Sequence, residues 1–191
     1  MFFSKPTVSA VLLLISSSVL AAPAEIARRQ PGEEYDCGCA SRKATLKGQG
    51  ANNFDLAVTL LETSEKMAGT TDVYAYGDYK QDDSANFGLF KNNWFAIRTA
   101  CSQFAGQPVE NWNNGAVLND DDAAAIKCQH EQREYFGDKW FAVQRNAESG
   151  LNSPDTDDIK QYRTAVAFVE DFINQGHSSD NKATYYTLGA I

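Results

Sequence analysis

Two acidic residues in the first half of the chain have the surroundings that acid–base chemistry requires. Glu62 follows the apolar pair Leu60-Leu61 near the end of a predicted helix, where partial burial would raise its pKa and keep it protonated. Asp78 lies in the polar stretch YGDYKQDDSANFG, residues 76–88, where it would stay ionised. A protonated carboxyl group can donate to the leaving oxygen of a glycosidic bond, while an ionised one activates water or attacks the sugar. The pair is therefore suited to glycoside hydrolysis.

Aromatic side chains flank Asp78 and could provide flat faces on which sugar rings pack. They are Tyr74, Tyr76, Tyr79, Phe87 and Trp94. The opposite interpretation has equal physical support, because aromatic residues at helical spacing usually form a core and acids are usually solvated. Composition alone leaves the carboxylate pair as a hypothesis.

Other kinds of catalytic site are poorly supported by the sequence. His130 and His177 have no recognisable nucleophile motif beside them and are expected at the surface. A calcium loop beginning at Asp78 would need glycine at its sixth position, which is Asp83. The Cys37-Gly-Cys39 spacing is shorter than the usual zinc-ligand spacing. We therefore expect neither a metal nor a cofactor.

The N-terminal residues predict export. Lys5 precedes the apolar run VSAVLLLISSSVL, so residues 1–21 are interpreted as a signal peptide. Residues 22–29 end in the dibasic pair Arg28-Arg29 and are interpreted as a propeptide, of a kind that favours a fungal secretory pathway. Residues 30–191 then form one catalytic domain of ordinary size.

The charge of the chain disfavours anionic partners. The formal net charge of −8 becomes −10 if the predicted leader is removed with Lys5, Glu25, Arg28 and Arg29. So acidic a protein would be repelled by nucleic acids and by anionic membranes. We expect a secreted monomer that acts on a neutral substrate.

Four cysteines remain in the predicted mature chain, at Cys37, Cys39, Cys101 and Cys128. In a secreted protein an even number indicates disulfides, here two. A bridge between residues only two apart has poor geometry. The expected pairings are therefore 37–101 with 39–128, or 37–128 with 39–101, and either would staple the N-terminus to later elements.

The apolar periodicity predicts a mainly α (α+β) fold with one small hairpin between the first two helices. The predicted elements are a helix from Asn52-Asn53 to about Met67 with a stop near Gly69, a strand over residues 71–76, a helix from about Phe87 to Phe104, a helix from Asn119 or Asp120, and a helix that follows Pro154-Asp155-Thr156 and stops at Gly176. Helical domains with an active-site hairpin lobe include the lysozyme-like group, an analogy of fold that assigns no function.

Several motifs resemble glycoside hydrolase family 134, whose members are β-1,4-mannanases. The family's E-T dipeptide matches Glu62-Thr63, and its Y-x-Y-G-D loop matches residues 74–78. Its A-N-F-G-x-F-K-x-N-W segment matches residues 85–94, and KWFAVQRNAESGL at 139–151 is similar to a further family segment. The resemblance extends over roughly residues 50–175.

This resemblance implies a lysozyme-like fold and cleavage within linear mannan with inversion of configuration. It implies that Glu62 is the general acid and Asp78 the general base, with carboxyl groups about 6.5–9.5 Å apart. The implied candidates for the substrate cleft are Tyr76, Lys80, Asn86, Phe87, Lys91, Trp94, Arg145 and Asn146. Phe87 and Trp94 are the two among them that we would first assign to the core.

The sequence departs from the family pattern in two places. The stretch from Glu62 to Asp78 is longer than the family pattern, which makes Glu65 a rival acid and Asp83 a weaker rival base. Val143-Gln144 and Ala147 stand where the family has Gly-His and Gly, which could alter substrate affinity or the product pattern.

Two other functions remain open from the sequence. One is a related glycosidase that acts on chitin or peptidoglycan, although peptidoglycan is anionic and would repel an acidic protein. The other is a non-catalytic secreted protein, either a sugar-binding module or an effector. Substitution of Glu62 would separate a catalyst from a binder.

Overall fold

Helices make up most of the chain that the computed structural model describes, which comprises residues 32–67 and 76–186. The predicted leader, residues 1–29, lies outside the described residues. Within them, the α-helices are α1 (Ala40–Gly48), α2 (Asn53–Met67), α3 (Trp94–Ala100), α4 (Asp122–Phe136), α5 (Trp140–Asn152) and α6 (Asp157–Phe172), and the strands are β1 (Glu34–Asp36), β2 (Asn86–Phe87), β3 (Asn92–Asn93) and β4 (Lys182–Thr184). No helix in this part of the chain is long and apolar enough to cross a membrane.

The strands form two small antiparallel pairs. β1 pairs with β4, with Glu34 opposite Thr184, and so brings the two ends of the described chain together. β2 pairs with β3, with Phe87 opposite Asn92, and forms a short hairpin between α2 and α3. The mainly α class with one small hairpin lobe in this position agrees with the predicted fold and is consistent with the lysozyme-like group. The strand predicted over 71–76 lies outside the described residues except for Tyr76, which begins a 3₁₀ turn.

Two of the predicted helix starts, at Asn52-Asn53 and after Thr156, agree with the structure. At the start of α2, the Asn52 side-chain oxygen accepts from the Asp55 backbone N–H at 3.0 Å. Asp121 caps α4 in the same way, accepting from Ala124 N–H at 2.9 Å, so this helix begins at Asp122 and not at the predicted Asn119 or Asp120. α6 begins directly after Thr156 and is followed by a turn in which Gly176 has φ 114°. α2 packs against α6 and forms the centre of the domain.

The helix predicted from Phe87 to Phe104 was wrong at both ends, since α3 covers only Trp94–Ala100. Gly88 and Lys91 have positive φ and form the turn of the β2–β3 hairpin. Asn93 then caps α3 by accepting from Ala96 N–H at 3.0 Å. Phe87 and Trp94 are nevertheless both buried, so the apolar spacing predicted burial correctly but not the local structure.

The disulfides correct both of the predicted pairings. Cys37 bonds to Cys39, and Cys101 at the end of α3 bonds to Cys128 on α4. Gly38 has φ 61°, and this turn brings the Cα atoms of its neighbours to 5.1 Å, a usual disulfide separation. The N-terminus is therefore held to later elements by the pairing of β1 with β4 and not by a disulfide.

Candidate active site

Glu62 stands at a break in α2. The next residue, Thr63, leaves the helical conformation with φ −144° and ψ 47°. Its hydroxyl donates to the carbonyl of Leu89 at 3.0 Å, in the turn of the β2–β3 hairpin. The Glu-Thr pair therefore joins the acid-bearing helix to the hairpin lobe.

The loop that carries Asp78 has an unusual backbone. Gly77, Asp78 and Tyr79 all have left-handed φ values, of 60°, 53° and 61°. A Cβ atom on Gly77 would lie 3.3 Å from both Ala85 Cβ and the Trp112 ring, so glycine is also favoured by the close packing. Backbone strain of this kind is common where a side chain is held for a function.

Two donors hold the Asp78 carboxylate. The Asn86 amide donates to Oδ2 at 3.1 Å, and Lys91 Nζ lies 3.4 Å from Oδ1. Both partners are donors and so suit an ionised carboxylate, as a general base requires.

A cavity of about 270 Å³ lies between the hairpin lobe and α5. Six of the predicted site residues line it, namely Glu62, Lys80, Asn86, Lys91, Arg145 and Asn146. Gln144 and Ala147, two of the three residues that differ from the family's Gly-His and Gly, line it as well, with Ser84, Asn93 and Ser149. Side chains from distant parts of the sequence thus meet in one polar cavity that contains Glu62.

Two long-range hydrogen bonds fix the walls of this cavity. The Asn93 amide donates to the carbonyl of Val143 at 2.7 Å, and the Gln144 amide donates to the carbonyl of Phe90 at 2.7 Å. Gln144 is almost fully buried and joins α5 to the hairpin turn. Asn93, Ser84 and Ser149 were missed as site residues, because nothing local in the sequence marks a contact between segments some fifty residues apart.

The surroundings of Glu62 favour the protonated form of its carboxyl group, as a general acid requires. Burial raises the pKa of Glu62. Part of this rise is offset by an interaction with the Tyr162 hydroxyl and by the positive charges of Lys91 and Arg145. The negative charge of Asp78 adds to the rise. Asp78 and Glu62 are thus close enough to act on each other electrostatically. Desolvation is the largest effect, as the sequence position after Leu60-Leu61 suggested.

The aromatic residues divide between the core and the surface. Phe87 and Trp94 are 1% and 0% exposed, so they belong to the core and offer no face to a sugar. Tyr76 is 49% exposed, and its ring packs edge-to-face on Trp112 at 5.6 Å. The Tyr76 hydroxyl donates to Asn113 Oδ1 at 2.8 Å. Trp112, which sequence reasoning missed, thus joins Tyr76 as a candidate sugar-binding surface.

The structure bears on one of the two rival carboxyl groups, Asp83 as the base, but not on Glu65 as the acid. Asp83 forms a bidentate ion pair with Arg98, with both N–O distances at 2.6 Å, which engages both of its oxygens. This arrangement favours Asp78 as the base. The side chain of Glu65 lies outside the described residues, so its rivalry with Glu62 stays open.

The two histidines belong to other parts of the protein. His130 Nε2 lies 2.7 Å from Asp55 Oδ2, and His177 Nδ1 lies 2.7 Å from Asp180 Oδ2. Neither histidine lines the Glu62 cavity. A larger cleft of about 840 Å³ lies around the junction of α4 and α5, but its lining contains neither candidate catalytic carboxylate. The described residues contain no cluster of His, Cys, Asp and Glu that could hold a metal ion.

A polar cavity with one desolvated carboxyl and one donor-held carboxylate nearby is the arrangement of a glycoside hydrolase. The family model for glycosyl hydrolase family 134 matches residues 40–188, and the chain belongs to this family. A comparison with curated proteins finds no match.

Proposed function

We propose that the protein is a secreted endo-β-1,4-mannanase that hydrolyses internal bonds of linear mannan with inversion of configuration. The observation that carries the proposal is the contrast between the two carboxyl groups. Burial raises the pKa of Glu62, whereas Asp78 is held by the donors Asn86 and Lys91. This is the division of roles that an acid–base pair requires.

In the proposed reaction, Glu62 donates its proton to the glycosidic oxygen as the bond from that oxygen to the anomeric carbon breaks. Asp78 takes a proton from a water molecule, and the water oxygen bonds to the anomeric carbon from the opposite face. The products are two shorter saccharides, one with a new reducing end of inverted configuration. Glu62 is reprotonated and Asp78 is deprotonated through solvent before the next cycle.

The substrate assignment rests on the family and on the charge of the cavity lining. Lys80, Lys91 and Arg145 supply donors, and Asn86 and Asn146 supply both donors and acceptors. A neutral polyhydroxylated chain can use both kinds of group. The exposed ring of Tyr76, packed on the partly buried ring of Trp112, offers an aromatic surface for a sugar unit at the edge of the loop.

A reducing-sugar assay tests the substrate. The purified protein would be incubated separately with linear β-1,4-mannan, chitin and a bacterial cell-wall preparation. New reducing ends from mannan alone support the proposal. Turnover of chitin or cell wall alone would retain the two-carboxylate mechanism and reject mannan, and no turnover of any of the three would favour the non-catalytic alternative.

Secretion is a separate part of the proposal. It rests on the apolar run after Lys5 and on the dibasic pair Arg28-Arg29. N-terminal mass spectrometry of the protein from the culture medium of a fungal host should find Gln30 as the first residue. A first residue at or near Ala22 would agree with removal of the signal peptide and contradict removal of the propeptide. A protein found only inside the cells would contradict secretion.

A further inference from the structure

One tyrosine hydroxyl near Glu62 is buried and lacks a hydrogen bond of ordinary geometry. Tyr162, on α6, is fully buried, and no described residue forms a hydrogen bond of ordinary geometry with its Oη. A buried hydroxyl in this state lowers the stability of the fold, and phenylalanine would fill the same space without that penalty. The hydroxyl therefore requires an explanation other than stability.

The ring of Tyr162 is held on several sides. It packs against Trp140 at 6.4 Å and Phe141 at 6.2 Å, and Arg145 Cζ lies 5.9 Å from its centroid. Arg145 and its neighbour Gln144 line the same cavity as Glu62. Because α6 also packs against α2, the tyrosine is fixed between the helix that carries the acid and the wall of the cavity.

Charged and titratable groups reach Glu62 from each element around it: Tyr162 from α6, Arg145 from α5, Lys91 from the hairpin and Asp78 from the loop. Burial and then the charge of Glu62 raise the pKa of Tyr162 well above its usual value, so the phenol stays neutral and remains a donor. Gln144 and Arg145 also interact with Tyr162 and oppose this rise.

We propose that Tyr162 is a positioning residue for Glu62, whose carboxyl group it orients and whose carboxylate form it stabilises by donating a hydrogen bond. This proposal rests on the proposed role of Glu62 as the general acid. When the Glu62 proton passes to the glycosidic oxygen, negative charge develops on the carboxylate. The Tyr162 hydroxyl then donates a hydrogen bond to that charge, while its own proton stays on the phenol oxygen.

Tyr162→Phe tests the role because it removes only the hydroxyl. We expect kcat on mannan to fall about tenfold to a hundredfold, the usual effect of a lost hydrogen bond to a charged group, with little change in KM. The basic limb of the kcat/KM profile should move to higher pH, because Glu62 loses a donor that lowers its pKa. The thermal stability should be unchanged or higher. Tyr135→Phe, on the exposed side of α4, is the matched control and should alter none of these quantities.

A titration that needs no activity separates this proposal from the proposed function. Carbon-13 NMR of protein labelled at the glutamate side-chain carboxyl carbons, with the Glu62 signal assigned through Glu62→Gln, gives the pKa of Glu62 directly. Tyr162→Phe should raise it. An unchanged Glu62 titration would overturn the positioning role even if the protein is a mannanase, whereas a raised pKa in a protein inactive on mannan would reject only the substrate.

A second variant tests the proposal even if the Tyr162→Phe protein does not fold. Incorporation of 3-fluorotyrosine at position 162 retains the shape and makes the phenol a stronger donor. The Glu62 pKa should then fall, and an unchanged value would again overturn the proposal.

Discussion

The ammonium group of Lys91 lies 3.4 Å from Oδ1 of Asp78, and the same cation acts on Glu62. Burial raises the pKa of Glu62, and the positive charge of Lys91 offsets part of that rise. One lysine at the hairpin turn therefore interacts with both candidate catalytic carboxyls. Its own positive φ of 49° belongs to the tight turn that places it there.

Substitution of the acid should depend on the leaving group. Glu62→Gln should lower kcat on mannan by about 10²–10⁴-fold, the usual contribution of general acid catalysis. An aryl manno-oligoside with an acidic phenol as leaving group needs little protonation, so much of its hydrolysis should survive in the variant. Glu65→Gln is the matched control and should stay near wild-type activity. Equal losses in both variants would contradict the assignment of Glu62.

The raised pKa of Glu62 also has a consequence for stability. The folded protein retains the Glu62 proton to a higher pH than the unfolded chain, so the carboxyl costs no stability below its unfolded pKa. As pH rises from the unfolded pKa through the folded pKa, the free energy of unfolding falls, because the unfolded chain releases this proton more readily than the folded protein does. Glu62→Gln should therefore be more stable than wild type at neutral pH, and the difference should vanish in acid. Urea denaturation at several pH values measures it, and a difference that grows toward low pH would contradict the desolvation of Glu62.

Substitution of the base should not depend on the leaving group. Asp78→Asn should lower kcat by about 10²–10⁴-fold on mannan and on the activated aryl substrate alike, because both reactions need an activated water. Asp83→Asn is the comparison, since it breaks the ion pair with Arg98 and should lower stability more than catalysis. A larger loss of kcat in Asp83→Asn than in Asp78→Asn would transfer the base to Asp83.

Ala147 is a strained residue in the cavity wall. Its φ of 47° and ψ of −136° interrupt α5 in a conformation that favours glycine, the residue the family resemblance leads one to expect there. Ala147→Gly should stabilise the protein by about 1 kcal/mol through relief of this strain. Ala167→Gly, at an exposed helical position of α6, should instead destabilise it by about 1 kcal/mol. Urea denaturation of both variants measures the difference, and destabilisation by Ala147→Gly would contradict the assigned backbone conformation.

The sequence was most informative where the signal is local. The helices α2 and α6 were predicted from Asn52 and Thr156 at their starts and from the apolar spacing that runs from each of these residues to the helix end. The apolar residues before Glu62 predicted its desolvation. The apolar spacing from Phe87 to Ile97 matched a helix only because both the hairpin and α3 bury their aromatic residues. Positive φ at Lys91 has no such sequence signal.

The parts that could not be predicted depend on contacts between distant segments. The Gln144 bond to Phe90 and the packing of Trp112 on Tyr76 form only in the folded chain. The Cys37–Cys39 bridge was rejected on spacing, because the turn at Gly38 that permits it is a property of the backbone. Of these features, only Gln144 lines the cavity that contains Glu62. The candidate catalytic residues, in contrast, were recognisable from their immediate neighbours.

The configuration of the first product tests the account most directly. Proton NMR of manno-oligosaccharide hydrolysis, recorded within the first minutes, shows which anomer of the new reducing end appears before mutarotation. The account predicts that the α-anomer appears first and the β-anomer follows as the mixture equilibrates. A β-anomer that appears first would contradict direct attack by a water molecule activated by Asp78.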